Sequence, residues 1–200
     1  MRELVLASGN AKKRAELEAL LPGVRVYSQT EFGVADAEEP FGTFLENALT
    51  KARHAARCTG RPALADDSGL CVEALGGAPG VQSARWASLA GGARSDAANN
   101  QKLIEQMRGQ TNRNAQFVCV LVAVRHAEDP QPLVGMGAWP LIVLDAADGE
   151  GGFGYDPLVA AADSGVSVAR MGADLKNENS HRARAMRALK EQLTNVWGWR

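Results

Sequence analysis

The chain has 200 residues, of which 46% are hydrophobic, 22% charged and 6% aromatic, a balance that suits one generous globular domain and excludes disorder and collagen-like structure. Its 22 basic and 23 acidic residues nearly cancel, so no net field draws it to nucleic acid and any polyanion has to be met locally. The longest apolar run, Phe117 to Val124, falls far short of the roughly twenty residues that cross a bilayer, and MRELVLASGN lacks the apolar stretch and cleavage site of a signal peptide. A cytoplasmic protein with no membrane partner is expected. Cys58, Cys71 and Cys119 are odd in number and lack metal-type spacing, so free thiols are expected.

In chain order, Glu3 to Ala7 is a strand, Ser8-Gly9-Asn10 a tight turn, and Ala15, Leu17, Leu20 and Leu21 mark a helix that Pro22-Gly23 stops. Val24 to Tyr27 offers a second strand. A polar segment holding Glu38 and Glu39 leads to Thr43-x-x-Glu46, a capping box that opens a helix running to about Thr59. On that helix Phe44, Ala48, Ala52 and Ala55 share one face, and Asn47, Lys51 and His54 recur on another. Ala63 to Ala65 reads as a strand that ends in Asp66-Asp67-Ser68-Gly69, which puts two carboxylates at a strand terminus. Gly76 to Gly80 and Ala87 to Ala98, rich in glycine, alanine and serine, read as loop and lid. A helix from about Asn99 to Met107 is followed by a strand over Phe117 to Val124, too β-branched for a good helix. Pro132 to Trp139 and Leu141 to Leu144 read as two strands around a turn at Pro140, Gly149 to Pro157 as a loop, and the chain turns helical from Ser180 with Met186, Leu189 and Leu193 as its buried stripe. This alternation predicts an α/β fold on a mixed sheet.

Four segments could carry chemistry. A strand running through Ser8-Gly9-Asn10 into a helix offers backbone N–H groups and a helix dipole to an anion such as phosphate, with Lys13 adding a full charge, although an Asn10 cap and a solvated lysine would look the same. Asp66 and Asp67 with Glu38 and Glu39 form an acidic set suited to a magnesium ion that also binds substrate phosphates. Adjacent acids also occur in ordinary turns. In Gly151-Gly-Phe-Gly-Tyr155, rings set between glycines suit a backbone wrapped closely around a flat base, or simply a connection whose rings pack on the core. Lys176, Ser180, His181 and Arg182 cluster at a helix N-terminus, where anions or carbonyl oxygens are favoured partners.

With these segments in order, the chain resembles the inosine triphosphate pyrophosphatase family over nearly its whole length. The resemblance lies in Ser8-Gly-Asn-Ala-Lys-Lys13, Glu38-Glu39 with Thr43-Phe-Leu-Glu-Asn-Ala48, and Ala65-Asp-Asp-Ser-Gly-Leu70. It continues through Gly76-Gly-Ala-Pro-Gly80 with Ser83-Ala-Arg85, Gly151-Gly-Phe-Gly-Tyr-Asp-Pro157, and Lys176 with Ser180-His-Arg182. It implies one catalytic domain over residues 1–200, an elongated mixed β-sheet flanked by helices in two lobes with the active-site cleft between them, and a homodimer. It implies a house-cleaning hydrolase that turns ITP, dITP and XTP into monophosphate and pyrophosphate with Mg²⁺, keeping deaminated purines out of DNA and RNA.

Carried over residue by residue, Ser8, Gly9, Asn10, Ala11, Lys12 and Lys13 would hold the triphosphate, and Glu39 with Asp67 would bind the metal. Asp67 would be the general base and Asp66 a supporting acid. Ser68 would lie against the substrate, Phe153, Gly154, Tyr155 and Asp156 would enclose base and sugar, and Lys176, His181 and Arg182 would complete the pocket. Donors on His181 or Arg182 would meet the O6 acceptor of hypoxanthine or xanthine, whereas the amino group of adenine would leave them unpaired at roughly 1–3 kcal/mol per group. Ser8, Lys12 and Leu175 depart from the residues usual at those places, and Ser8 keeps the hydroxyl of the more usual threonine. The alternatives are a Maf-type nucleotide pyrophosphatase, against which the Gly-Phe-Gly-Tyr-Asp and Ser-His-Arg segments speak, and a nucleotide-sensing module, which would have little use for a positioned base.

Overall fold

The computed structural model describes residues 2–199. Six strands form one mixed sheet in the order β2-β1-β3-β4-β5-β6, where β1 is Arg2–Leu6, β2 Val24–Ser28, β3 Ala63–Val72, β4 Asn114–Val124, β5 Leu133–Val143 and β6 Val159–Ala161. β1 runs parallel to both neighbours, with Val5 opposite Ala63 and Leu6 opposite Leu64, while β6 is antiparallel to β5. Among the described residues, five α-helices accompany the sheet: α1 (Ala11–Leu20), α2 (Phe44–Thr59), α3 (Asp96–Gln106), α4 (Ala173–Asn179) and α5 (His181–Trp197). The α/β architecture on a mixed sheet is as expected. No helix of the described residues is long and apolar enough to cross a membrane.

The chain divides into two compact units, one of residues 1–67, 119–137 and 181–200, the other of residues 68–118 and 138–180. In the first, period-two alternation sorts side chains between two cores. Leu4, Leu6, Leu64, Cys119, Leu121 and Ala123 meet Leu17 of α1 and Met186, Leu189 and Leu193 of α5. Val5, Ala63, Ala65, Val120, Val122 and Val124 meet the alanines Ala48, Ala52, Ala55 and Ala56 of α2. Strands covered on both faces must be apolar at nearly every position, which is why the stretch up to Val124 reads as one unbroken run. The second unit has its own core around Leu70, Trp86, Leu103, Phe117, Trp139, Tyr155 and Leu158.

Four expected boundaries are corrected. β3 does not stop at Ala65 but continues through Asp66, Asp67, Ser68 and Gly69 to Val72, so the carboxylates lie inside a strand. Pro140 is no turn: β5 passes through it, with the proline exposed beside the registered pairs and its carbonyl accepting from Ala162. α3 begins earlier than Asn99, because Ser95 caps it by accepting the Ala98 N–H, and Ser88–Ala90 upstream is a short helical turn. The final helix starts at His181, preceded by the unforeseen α4, and its stripe of Met186, Leu189 and Leu193 is buried as expected. All three cysteines are free thiols.

Two glycines set where α5 begins. A Cβ on Gly135 would run into the Ala185 carbonyl and Leu189, and one on Gly137 into the His181 carbonyl and the Ala185 nitrogen. The first turn of α5, which carries His181 and Arg182, therefore rests directly on β5. Gly137→Ala is expected to cost roughly 1–3 kcal/mol by overpacking against the first turn of α5, as thermal melts would show.

Candidate active site

The turn after β1 is held by its own side chains. Asn10 Oδ1 accepts from the Lys12 and Lys13 amides at 3.0 and 3.1 Å, capping α1, and Ser8 Oγ accepts from the Asn10 amide. The plain capping role thus exists, but the solvated lysine does not. Lys13 Nζ reaches across to donate to Asp66 Oδ1 at 2.6 Å.

The alternation that sorts the core also separates the paired acids. Leu64 lies on the α1 and α5 side and Ala63 and Ala65 on the α2 side, so Asp66 faces α1 and α5 and Asp67 faces α2. Asp66 is fully buried, accepting from Lys13, from Arg182 Nε at 2.7 Å and from the Cys119 thiol at 3.3 Å. Burial pushes its carboxyl upward, but Arg182 and then Lys13 outweigh burial and hold it well below the usual carboxylate range. Burial, reinforced by Asp66, pushes the Cys119 thiol well up, so it stays a donor. Arg182 also pairs with Glu16 of α1 and is 1% exposed, its charge firmly kept by these acids despite burial. Asp66 is the anionic centre of a fixed knot.

Asp67 is the opposite. Its Oδ1 accepts from Lys51 Nζ at 2.8 Å, and the same ammonium donates to Glu39 Oε1 at 2.6 Å. Asp67 Oδ2 is buried with no hydrogen-bond partner. Burial raises this carboxyl above its ordinary value, and Lys51 draws it back only in part. Burial alone would lower Lys51, yet Asp67 and Glu39 more than offset that and raise it. The alanine face of α2 lets the helix sit close to the sheet, which brings Lys51 down onto both acids.

In the second unit, Lys176 Nζ donates to Asp156 Oδ2 at 2.9 Å and sits 4.6 Å from the centre of the Phe153 ring, while Asp156 Oδ2 also accepts the Phe153 amide. Gly152, at φ +77°, passes so close to Asp156 that a Cβ would collide with its carboxylate. The Tyr155 hydroxyl donates to the Ser83 carbonyl at 2.9 Å, and burial raises it. Gly154 is gripped from α3, its amide donating to Asp96 and its carbonyl accepting from Asn100. Phe153, Gly154, Tyr155, Asp156 and Lys176 are therefore one assembly.

In the first unit the structure joins Lys13, Asp66 and Arg182, and separately Glu39 with Asp67. Glu38 points to solvent, and Ser68, half-buried, follows Asp67 on β3. Sequence reasoning passed over Lys51, whose signal was its place in the polar series Asn47, Lys51 and His54, and also Glu16, a plain helix acid. Among the described residues no three His, Cys, Asp or Glu side chains converge as a ready-made metal site. Two carboxylates, one with a buried unpartnered oxygen, nevertheless fit a hard divalent cation that takes its remaining ligands from water and substrate phosphates.

Residues 4–192 match the Ham1 family. The chain is 58% identical over 193 residues to the dITP/XTP pyrophosphatase of Chromobacterium violaceum, covering 96% of each protein. It is 55% identical over 195 residues to the dITP/XTP pyrophosphatase of Ralstonia nicotianae, covering 96% of this chain and 97% of the other. Its fold superposes on a HAM1 protein from Coxiella burnetii with a TM-score of 0.89 at 42% identity, over 98% of this chain and 100% of that one. A nucleoside-triphosphatase / dITP/XTP pyrophosphatase from Mycobacterium abscessus gives 0.75 at 37% identity, over 94% and 98%.

Proposed function

We propose, since this chain belongs to the Ham1 family, that it hydrolyses dITP, ITP and XTP to the nucleoside monophosphate and pyrophosphate, in the cytoplasm and with Mg²⁺. The observation that carries the mechanism is the buried, unpartnered Oδ2 of Asp67 beside an Oδ1 held by Lys51. Asp67 takes the proton of the attacking water, and Lys51 holds the carboxylate in place through Oδ1. Glu39 and Asp67 would bind Mg²⁺, which supplies neutralisation of the triphosphate charge. Lys12, Lys13 and the Ser8–Ala11 turn receive phosphate oxygens, with Ser68 beside the substrate. Phe153 to Asp156 enclose base and sugar, and Lys176 orders that loop through Asp156 and Phe153.

Arg182 spends donors on Asp66 and Glu16, so His181 is the better partner for O6 of the base. Asp66 is a positioning residue that fixes Lys13 and Arg182. One catalytic domain over residues 1–200, assembling as a homodimer, completes the reading, and light scattering at twice the chain mass would check the assembly.

A turnover panel of ITP, dITP, XTP, ATP, GTP, CTP and UTP tests it. The inosine and xanthine nucleotides should be hydrolysed at least tenfold faster than ATP, the factor that one unpaired buried donor imposes at about 1.4 kcal/mol. Chelation by EDTA should stop turnover and excess Mg²⁺ restore it. Preference for a pyrimidine nucleotide would favour the Maf-type alternative, and tight binding of every nucleotide without turnover would favour a sensor.

A further inference from the structure

The polar stripe of α2 does more than present Lys51. Asn47, fully buried, accepts the Phe41 amide on Oδ1 at 3.0 Å and donates from Nδ2 to the Phe41 carbonyl at 3.1 Å. One turn on, Lys51 takes Glu39, and a further turn on, His54 Nε2 donates to the Ala35 carbonyl at 3.1 Å. Segment 35–41 is thus fastened antiparallel to the helix at 41, 39 and 35 by residues spaced i, i+4 and i+7, which share one helical face.

Much of the segment's own surface faces solvent. Ala35, Asp36, Glu38 and Pro40 are exposed, Phe41 is 41% exposed, and a cavity of about 510 Å³ opens beside the segment among Asp36, Glu38, Phe41, Thr50 and Arg53. Segment 35–41 is fastened to α2 by these three residues, Asp36 also accepts from the buried Gln29, and Glu39 lies between the fastenings.

We infer that Asn47 and His54 are positioning residues for Glu39, holding the strap on which that carboxylate meets Lys51, the partner it shares with Asp67, so that metal affinity depends on two side chains that touch no metal. The inference rests on the reading of Glu39 as a metal ligand. Groups behind metal ligands typically contribute 10–100-fold to affinity.

The test is binding of Mn²⁺ alone to the full chain, read by water-proton relaxation, for the wild type, Glu39→Gln, Asn47→Ala, His54→Ala and His54→Gln. Asn47→Ala should weaken Mn²⁺ binding by roughly tenfold or more, and His54→Ala by a few-fold with recovery in His54→Gln, which keeps a donor. With dITP, Asn47→Ala should need correspondingly more Mg²⁺ for half-maximal rate yet approach the wild-type kcat when Mg²⁺ saturates. A purely structural defect would lower kcat at all Mg²⁺ concentrations. Folded Asn47→Ala and His54→Ala chains with wild-type Mn²⁺ affinity would overturn the inference, and if Asn47→Ala does not fold, unchanged affinity in His54→Ala alone does so. Unchanged affinity in Glu39→Gln would instead overturn the assignment of Glu39.

Discussion

Asp67→Asn is expected to lower dITP turnover by about 10²–10⁴-fold, the usual contribution of a positioned proton acceptor, and to lower the melting temperature far less than Asp66→Asn does. The two halves of that result have one cause. The Asp67 carboxyl is raised by burial, so its ionised form is less favourable in the folded chain than in the unfolded one. The sign follows from linkage: a raised carboxyl favours folding most when protonated, and that contribution fades as the pH rises through the folded value. At neutral pH a neutral amide therefore relieves the cost of burying this charge, which offsets the lost pairing with Lys51, and Lys51 keeps Glu39. Nucleotide binding measured calorimetrically should survive in the variant. A fully active Asp67→Asn enzyme would remove Asp67 from the chemistry.

Asp66→Asn, one residue away, has the reverse signature. It strips the negative charge from between Lys13 and Arg182, and breaking a buried ion pair from one side typically costs 3–5 kcal/mol. For a chain of this length that is a loss in Tm on the order of 10 °C. Here the folded carboxyl lies below its unfolded value of about 3.9, so the stabilisation is complete above that pH and is lost as pH falls beneath it. The difference in Tm between wild type and variant should be widest near neutrality and shrink below about pH 4. Activity should fall as well, through higher KM, because Lys13 and Arg182 lose the anchor that aims them. Equal melting temperatures at pH 7 would refute the knot.

The opposite fates of these neighbours show what could be read from the chain and what could not. Both were legible as an acidic set with Glu39, and the strand, turn and helix around Ser8–Lys13 were legible from their local signals. The position of the acids inside β3 was not, because Asp-Asp-Ser-Gly is turn chemistry in isolation. It becomes strand only when Lys13 and Arg182, distant in sequence, neutralise one face and Lys51 the other. Pro140 misled because a proline lacks only its own N–H, and β5 runs on through it with the Pro140 carbonyl still accepting from Ala162. α4 has one buried residue, Lys176, and so no apolar period to announce it. The aromatic loop was visible from its glycines, but its fastening to Asp96 and Asn100 joins residues that no pattern links. Lys51 is visible in the sequence as one member of a polar stripe. A solvated helix face and a fastening look alike until the segment lying on them is placed.

The most direct measurement is a single turnover of dITP by the wild-type chain in Mg²⁺, with the products separated. Deoxyinosine monophosphate and pyrophosphate should appear together in equal amounts, with no diphosphate intermediate and no free phosphate. Release of single phosphates through the diphosphate would contradict the pyrophosphatase reading.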